Sequence, residues 1–169
     1  MQLPCHGAWV PLTYLYPQAD APVFQVSMPS RLDADGAYAF GRALAPLAAE
    51  GVLVIGSGSL THNLYEYRGN GPPEPYAEEF AAWIRRAITG GDRGLLLRAL
   101  EAAPNARRAH PTPEHFWPLL IAIGAAGEPS PATVLEGGIE HRILTMDSYV
   151  FGRAVELEVS AIAATGAAA

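Results

Sequence analysis

An α/β domain is what this sequence predicts, and three observations carry that expectation. The segment Pro22–Met28, "PVFQVSM", is β-branched and mostly apolar, as a buried strand is. The segment 52–60, "VLVIGSGSL", is a second apolar run that passes into small residues. Between them, residues 29–51 place Ala37, Phe40, Leu44 and Leu47 at helical spacing on one face. Strand, helix, strand is the βαβ unit, whose two strands run parallel. The chain has 169 residues, of which 50% are hydrophobic, so it can bury one sizeable core and is not a disordered polymer.

The remaining elements follow in order. "AWVPLTYLYP" reads as a short helix ended by Pro17. The central helix has Asp33 or Asp35 as N-cap and Gly51 as its stop, with Pro46 disturbing its last turn. "EYRGNGPPEP" is a loop. "YAEEFAAWIRRAITGG" is an amphipathic helix, with Phe80, Trp83, Ile84 and Ile88 on one side and Glu78, Glu79, Arg85 and Arg86 on the other. A short helix lies in "DRGLLLRALEAAPNARRAH". The next helix is expected to open with Thr112 as N-cap and Pro113 at its first position, which would put His115 in its first turn. Pro118 either kinks it or marks the end of its first turn, and Gly124 or Gly127 ends it. A short strand is expected near Thr133–Leu135, and a last strand in "RILTMDSYVFG" with Tyr149 and Phe151 on one side. Residues 1–152 are expected to form the domain and 153–169 an alanine-rich tail with a disordered end.

Composition narrows the function classes. The net charge is −6 and the 11 basic residues form no run, which argues against a nucleic-acid partner. Cys5 stands alone, so no internal disulfide can form, and a cytoplasmic setting is expected. No stretch is long and apolar enough to span a bilayer.

Histidines are the residues that bear on chemistry. His62 follows an apolar strand-like run, where parallel sheets bind ligands, and imidazole works as an acid or base near neutral pH. The plain alternative is a turn histidine, with Thr61 capping a following helix. "GSGS" lacks the lysine of a phosphate loop and the Gly-x-Ser-x-Gly of a nucleophile elbow. His115 can ligate a metal or simply sit at a capped helix start. His110 precedes a proline and so is extended, and His110-x4-His115 is not the helical spacing of a zinc pair. His6 in "CHGAW" stands beside a glycine and near Trp9, while His141 reads as a surface residue. Glu136 and Glu140 are candidate carboxylate ligands.

Taken together, "CHGAWVPLTYLYPQADAPVFQVSM", "GVLVIGSGSLTHNL", "HPTPEHFWPLLIAIGAAGE" and "EGGIEHRILTMDSY", in that order, resemble the class III extradiol ring-cleavage dioxygenases. These form the LigB-like superfamily, and the likeness is to its DOPA-dioxygenase-type branch. It extends over nearly the whole chain up to about Phe151. The resemblance implies a three-layer fold with a mostly parallel sheet and flanking helices. It implies opening of a catechol ring by dioxygen at a non-haem metal, ferrous iron for turnover and often zinc as isolated. By residue, it implies that His62 is the catalytic acid/base, that His115 is a metal ligand and that His6 lies near the substrate. The family carries two further metal-binding histidines upstream, in a Gly-His-Gly and a Ser-x-His-Trp turn. Neither is in this chain, so it is expected to be an N-terminally truncated domain that lacks the first strands. Such a chain is expected to be inactive alone, and to pair as a homodimer or with a complementing N-terminal chain. Two other readings remain: a non-catalytic accessory or interaction module, and a metal-dependent hydrolase using His62, His110 and His115.

Overall fold

The structure is a computed structural model that describes residues 6–127 and 132–152. The anticipated tail at 153–169 lies outside the described residues, as does Cys5. Among the described residues seven α-helices come first: α1 (His6–Leu15), α2 (Ala34–Leu44), α3 (Pro75–Thr89), α4 (Arg93–Leu97), α5 (Ala99–Ala102), α6 (Ala106–Ala109) and α7 (Trp117–Ala126). Four short strands follow: β1 (Ala132–Leu135), β2 (Ile139–Glu140), β3 (Leu144–Thr145) and β4 (Ser148–Phe151). No helix of the described residues is long and apolar enough to cross a membrane.

Local chemistry explains the helix limits. Asp33 caps α2 by accepting from the Gly36 amide at 2.7 Å. Pro46 cannot continue the α-helical ladder, so residues Ala45–Glu50 tighten into a 3₁₀ turn. Gly51 stops that turn at φ 81°, a left-handed conformation that suits glycine. α3 buries Tyr76, Ala77, Phe80, Ile84, Ala87 and Ile88 along one side. Phe80, Ile84, Phe116, Leu120 and Ile143 form the centre of the core.

α2 and α7 are the most intimately packed pair. A Cβ on Gly41 would lie 2.1 Å from the Ile121 carbonyl oxygen, and one on Gly124 would lie 2.3 Å from that of Tyr38. Only glycine lets the two backbones meet this closely.

The sheet differs from expectation. Among the described residues the ladders are two antiparallel pairs, β1 with β4 and β2 with β3. The chain is mixed helix and strand, but neither Pro22–Met28 nor 52–60 is a strand. The reason is that apolar alternation sets a segment's preference, whereas a strand needs a neighbour to pair with. No described segment runs in ladder with either stretch. Their apolar side chains face outward instead: Phe24 is 69% exposed and Leu53 61%, and Val23, Val26 and Ile55 are exposed as well.

The expected last strand is interrupted between β3 and β4 at Met146–Asp147. Asp147 anchors that break. It accepts two hydrogen bonds from Arg85, one from the Tyr149 hydroxyl and one from the Gly137 amide. Tyr149 and Phe151 do share a side, with their rings stacked at 6.2 Å.

Candidate active site

Pro118, rather than Pro113, occupies the first turn of the helix after "HPTPEH". α7 therefore begins at Trp117, and His115 lies two residues before it, not in its first turn. Residues 111–116 form a turn in which the Pro113 carbonyl accepts from the Phe116 and Trp117 amides. The Thr112 hydroxyl, anticipated as the cap, donates to the Glu114 carboxylate at 2.8 Å instead.

This turn is laced to the segment before His62. The Ser59 amide donates to the His115 carbonyl at 2.9 Å, and the His62 amide donates to the Ala109 carbonyl at 2.8 Å. Between those two ties, the His110 ring bonds the Leu60 carbonyl at 2.7 Å. Glycine makes the approach possible. A Cβ on Gly58 would lie 2.4 Å from the His115 carbonyl oxygen, and one on Gly56 would lie 2.2 Å from that of Pro118.

The result is that His62 and His115 meet. Their rings stack with centroids 3.5 Å apart and 24° between planes. Both are half-buried at the surface of the fold. The Glu114 carboxylate lies 3.7 Å from His115 Nε2. Burial lowers the pKa of His62, and the neighbouring His115 lowers it further, against a smaller opposing pull from Glu114. His62 thus favours the neutral, proton-accepting form near pH 7. Partial burial works against ionisation of Glu114, but its own backbone amide, the Thr112 hydroxyl and the two imidazoles together hold its carboxyl below the usual range.

The chain just beyond His62 is also braced. Asn63 donates to Glu66 at 3.0 Å, and Glu66 takes a bidentate contact from Arg108, with its shortest distance 2.6 Å. That hydrogen bond from Arg108 pulls the Glu66 carboxyl below its ordinary pKa.

The other anticipated residues go elsewhere. His6 opens α1, but its side chain is outside what the structure describes. His141 sits between β2 and β3 at φ 49°, with Nδ1 near Tyr67 Oη and Asn70 Oδ1. Glu136 pairs with Arg85 at 3.1 Å. An open groove lined by Leu100, Glu101, Asn105 and Arg107 contains no histidine. Sequence reasoning gives His110 no firm role outside the hydrolase reading, and Thr61 only that of a helix cap. Both are buried against the His62 turn. A polar residue directly before or within an apolar element is the signal that would have flagged them.

A histidine pair at a glycine-permitted contact can be compared with known proteins. The family model described as the catalytic LigB subunit of aromatic ring-opening dioxygenase matches residues 3–152. The chain belongs to the LigB family. Within the class III extradiol dioxygenases, it is 46% identical over 152 residues to the 4,5-DOPA dioxygenase extradiol of Beta vulgaris, covering 86% of this chain and 55% of that protein. It is 34% identical over 152 residues to the protein of the same name from Escherichia coli strain K12, covering 87% and 56%. The crystal structure of an uncharacterized protein from Escherichia coli K12 superimposes with a TM-score of 0.76 at 33% identity, over 88% of this chain and 63% of that one. This LigB-family chain therefore spans about half the length of the curated relatives it matches.

The resemblance implies a metal, and the residues present can be tested against one. A stable site needs about three protein ligands with open positions left for substrate and dioxygen. Among the described residues no group of three His, Cys, Asp or Glu side chains is placed to hold a metal ion. The stacked imidazoles are the right chemical type but too few, so these residues alone do not make a metal centre.

Proposed function

We propose that this chain supplies the His62–His115 side of an extradiol dioxygenase site. That site opens catechol-type, DOPA-like rings with dioxygen, and non-haem ferrous iron is its cofactor. The observation that carries this reading is the 3.5 Å stacking of the two histidines, in a chain 46% identical to a protein named 4,5-DOPA dioxygenase extradiol. In this reading His115 is the chain's contribution to the metal, and His62 is the acid/base. A neutral His62 ring accepts a proton from a catechol hydroxyl, and the ring later returns it. His6, which opens α1 on the same chain, is assigned to the substrate side. The remaining ligands come from a part of the domain outside these residues, on a complementing chain or on further sequence of the same protein. The chain is accordingly inactive by itself.

The test uses two proteins: this chain, and this chain joined to the part of the Beta vulgaris relative that it does not match. Each is loaded with ferrous iron without oxygen, then given oxygen and DOPA. Oxygen uptake with a yellow ring-opened product from the joined protein only is the expected outcome. A folded joined protein that consumes no oxygen would remove the dioxygenase reading and leave the non-catalytic one.

A further inference from the structure

The His62 turn is held by two buried polar side chains that no acid/base or ligand role uses. His110 is 6% exposed and packs against both the Phe80 and the Phe116 rings, at centroid distances of 5.7 and 5.4 Å. Its Nε2 is 2.7 Å from the Leu60 carbonyl. A carbonyl only accepts, so Nε2 carries the proton and Nδ1 is bare. Nδ1 is buried without a hydrogen bond. Thr61, fully buried, is the second anchor. Its hydroxyl accepts from the Thr145 amide at 2.8 Å and shares a hydrogen bond with the Thr145 hydroxyl at 2.9 Å.

These two anchors grip the two residues immediately before His62 from opposite sides of the sequence, one from the end of α6 and one from β3. An apolar residue at 110 would pack against the two phenylalanines without leaving a bare nitrogen. It would also leave the Leu60 carbonyl unpaired. The backbone ties Ser59–His115 and His62–Ala109 fix where the segment lies. The side-chain anchors fix how its peptide planes are turned, and so the direction in which the His62 ring leaves the chain.

We propose that His110 and Thr61 are positioning residues that set the His62 ring against His115. The geometry stands alone, and its catalytic consequence rests on the function proposed above. The experiment reads geometry without turnover: the NOE between the His62 and His115 ring protons in the full chain, alongside its thermal melt. His110→Phe keeps an aromatic ring but has no donor for Leu60, and it should melt cooperatively while losing the ring–ring NOE. His110→Gln returns an N–H donor and should restore the NOE. Thr61→Val removes only the hydroxyl anchor and should also lose it, which carries the test if His110→Phe does not fold. An undiminished NOE in folded His110→Phe or Thr61→Val overturns the proposal, and so does a folded His110→Gln without it. Such a failure would leave the dioxygenase reading intact, because no step of this test needs oxygen or substrate.

Discussion

Two regions of this molecule treat apolar side chains in opposite ways. Around α3 and the start of α7, Phe80 and Phe116 are 0% and 1% exposed, and even the polar His110 and Thr61 are drawn inside. Along residues 22–28 and 52–55, side chains of the same kind face outward, Phe24 and Leu53 most of all. The difference shows that hydrophobic sequence is not enough to make a core: it must meet a partner surface. His62 and His115 lie next to this contrast. The segment that carries His62 continues from the outward-facing stretch at 52–55, and His110 and Thr61 tie it to the packed side.

The sharpest way to break the comparison is to empty each region in turn. Phe116→Ala should cost about 3–5 kcal/mol of unfolding free energy, the usual range for a buried aromatic. Phe24→Ala should stay within about 0.5 kcal/mol, because an exposed side chain leaves no cavity. Denaturant unfolding of both variants checks this, and equal losses would show that the outward region is packed after all.

Acid should find the packed side next. Burial pushes the His110 pKa down to about 4 from an ordinary 6.5, with smaller downward contributions from His115 and His62. The unfolded chain therefore binds more protons than the folded one between those values. His110's share of stability is complete above about pH 6.5 and is lost as pH falls toward 4, on the order of 3 kcal/mol in total. Melting midpoints measured across that window should fall for the parent and fall less for His110→Phe. Parallel curves would place the titration elsewhere.

The glycine contact that joins the regions should give a smaller effect. Gly58→Ala puts a methyl group 2.4 Å from the His115 carbonyl oxygen, so backbone must move, at about 1–3 kcal/mol. Its melt should drop, and its His62–His115 ring contact should weaken. At the far end of the scale, Asp33→Ala removes the cap of α2, worth about 1 kcal/mol, and should leave the histidine pair undisturbed.

Much of the helical scaffold was legible because its causes are local. The Asp33 cap, the stop at Gly51, the effect of Pro46 and the buried face of α3 each depend on residues within a few positions. The strands at 22–28 and 52–60 were misjudged because pairing depends on a neighbour that periodicity does not specify. The start of α7 was misplaced because three prolines, at 111, 113 and 118, compete to begin it, and the Thr112 hydroxyl turned to a carboxylate rather than to the backbone. His62 and His115 were each singled out, but their stacking is a long-range result. It arises from hydrogen bonds between residues 59–62 and 109–115, and no local pattern encodes it.

If the histidine pair is the working part of a dioxygenase site, oxygen uptake by the joined protein depends on His62, and His62→Ala is the variant that decides it. Metal content is measured on the same sample. Bound iron should be retained while uptake falls by about 10²–10⁴-fold, as expected for loss of a general acid/base. Uptake within about twofold of the parent would contradict it, since general acid/base catalysis contributes far more than that.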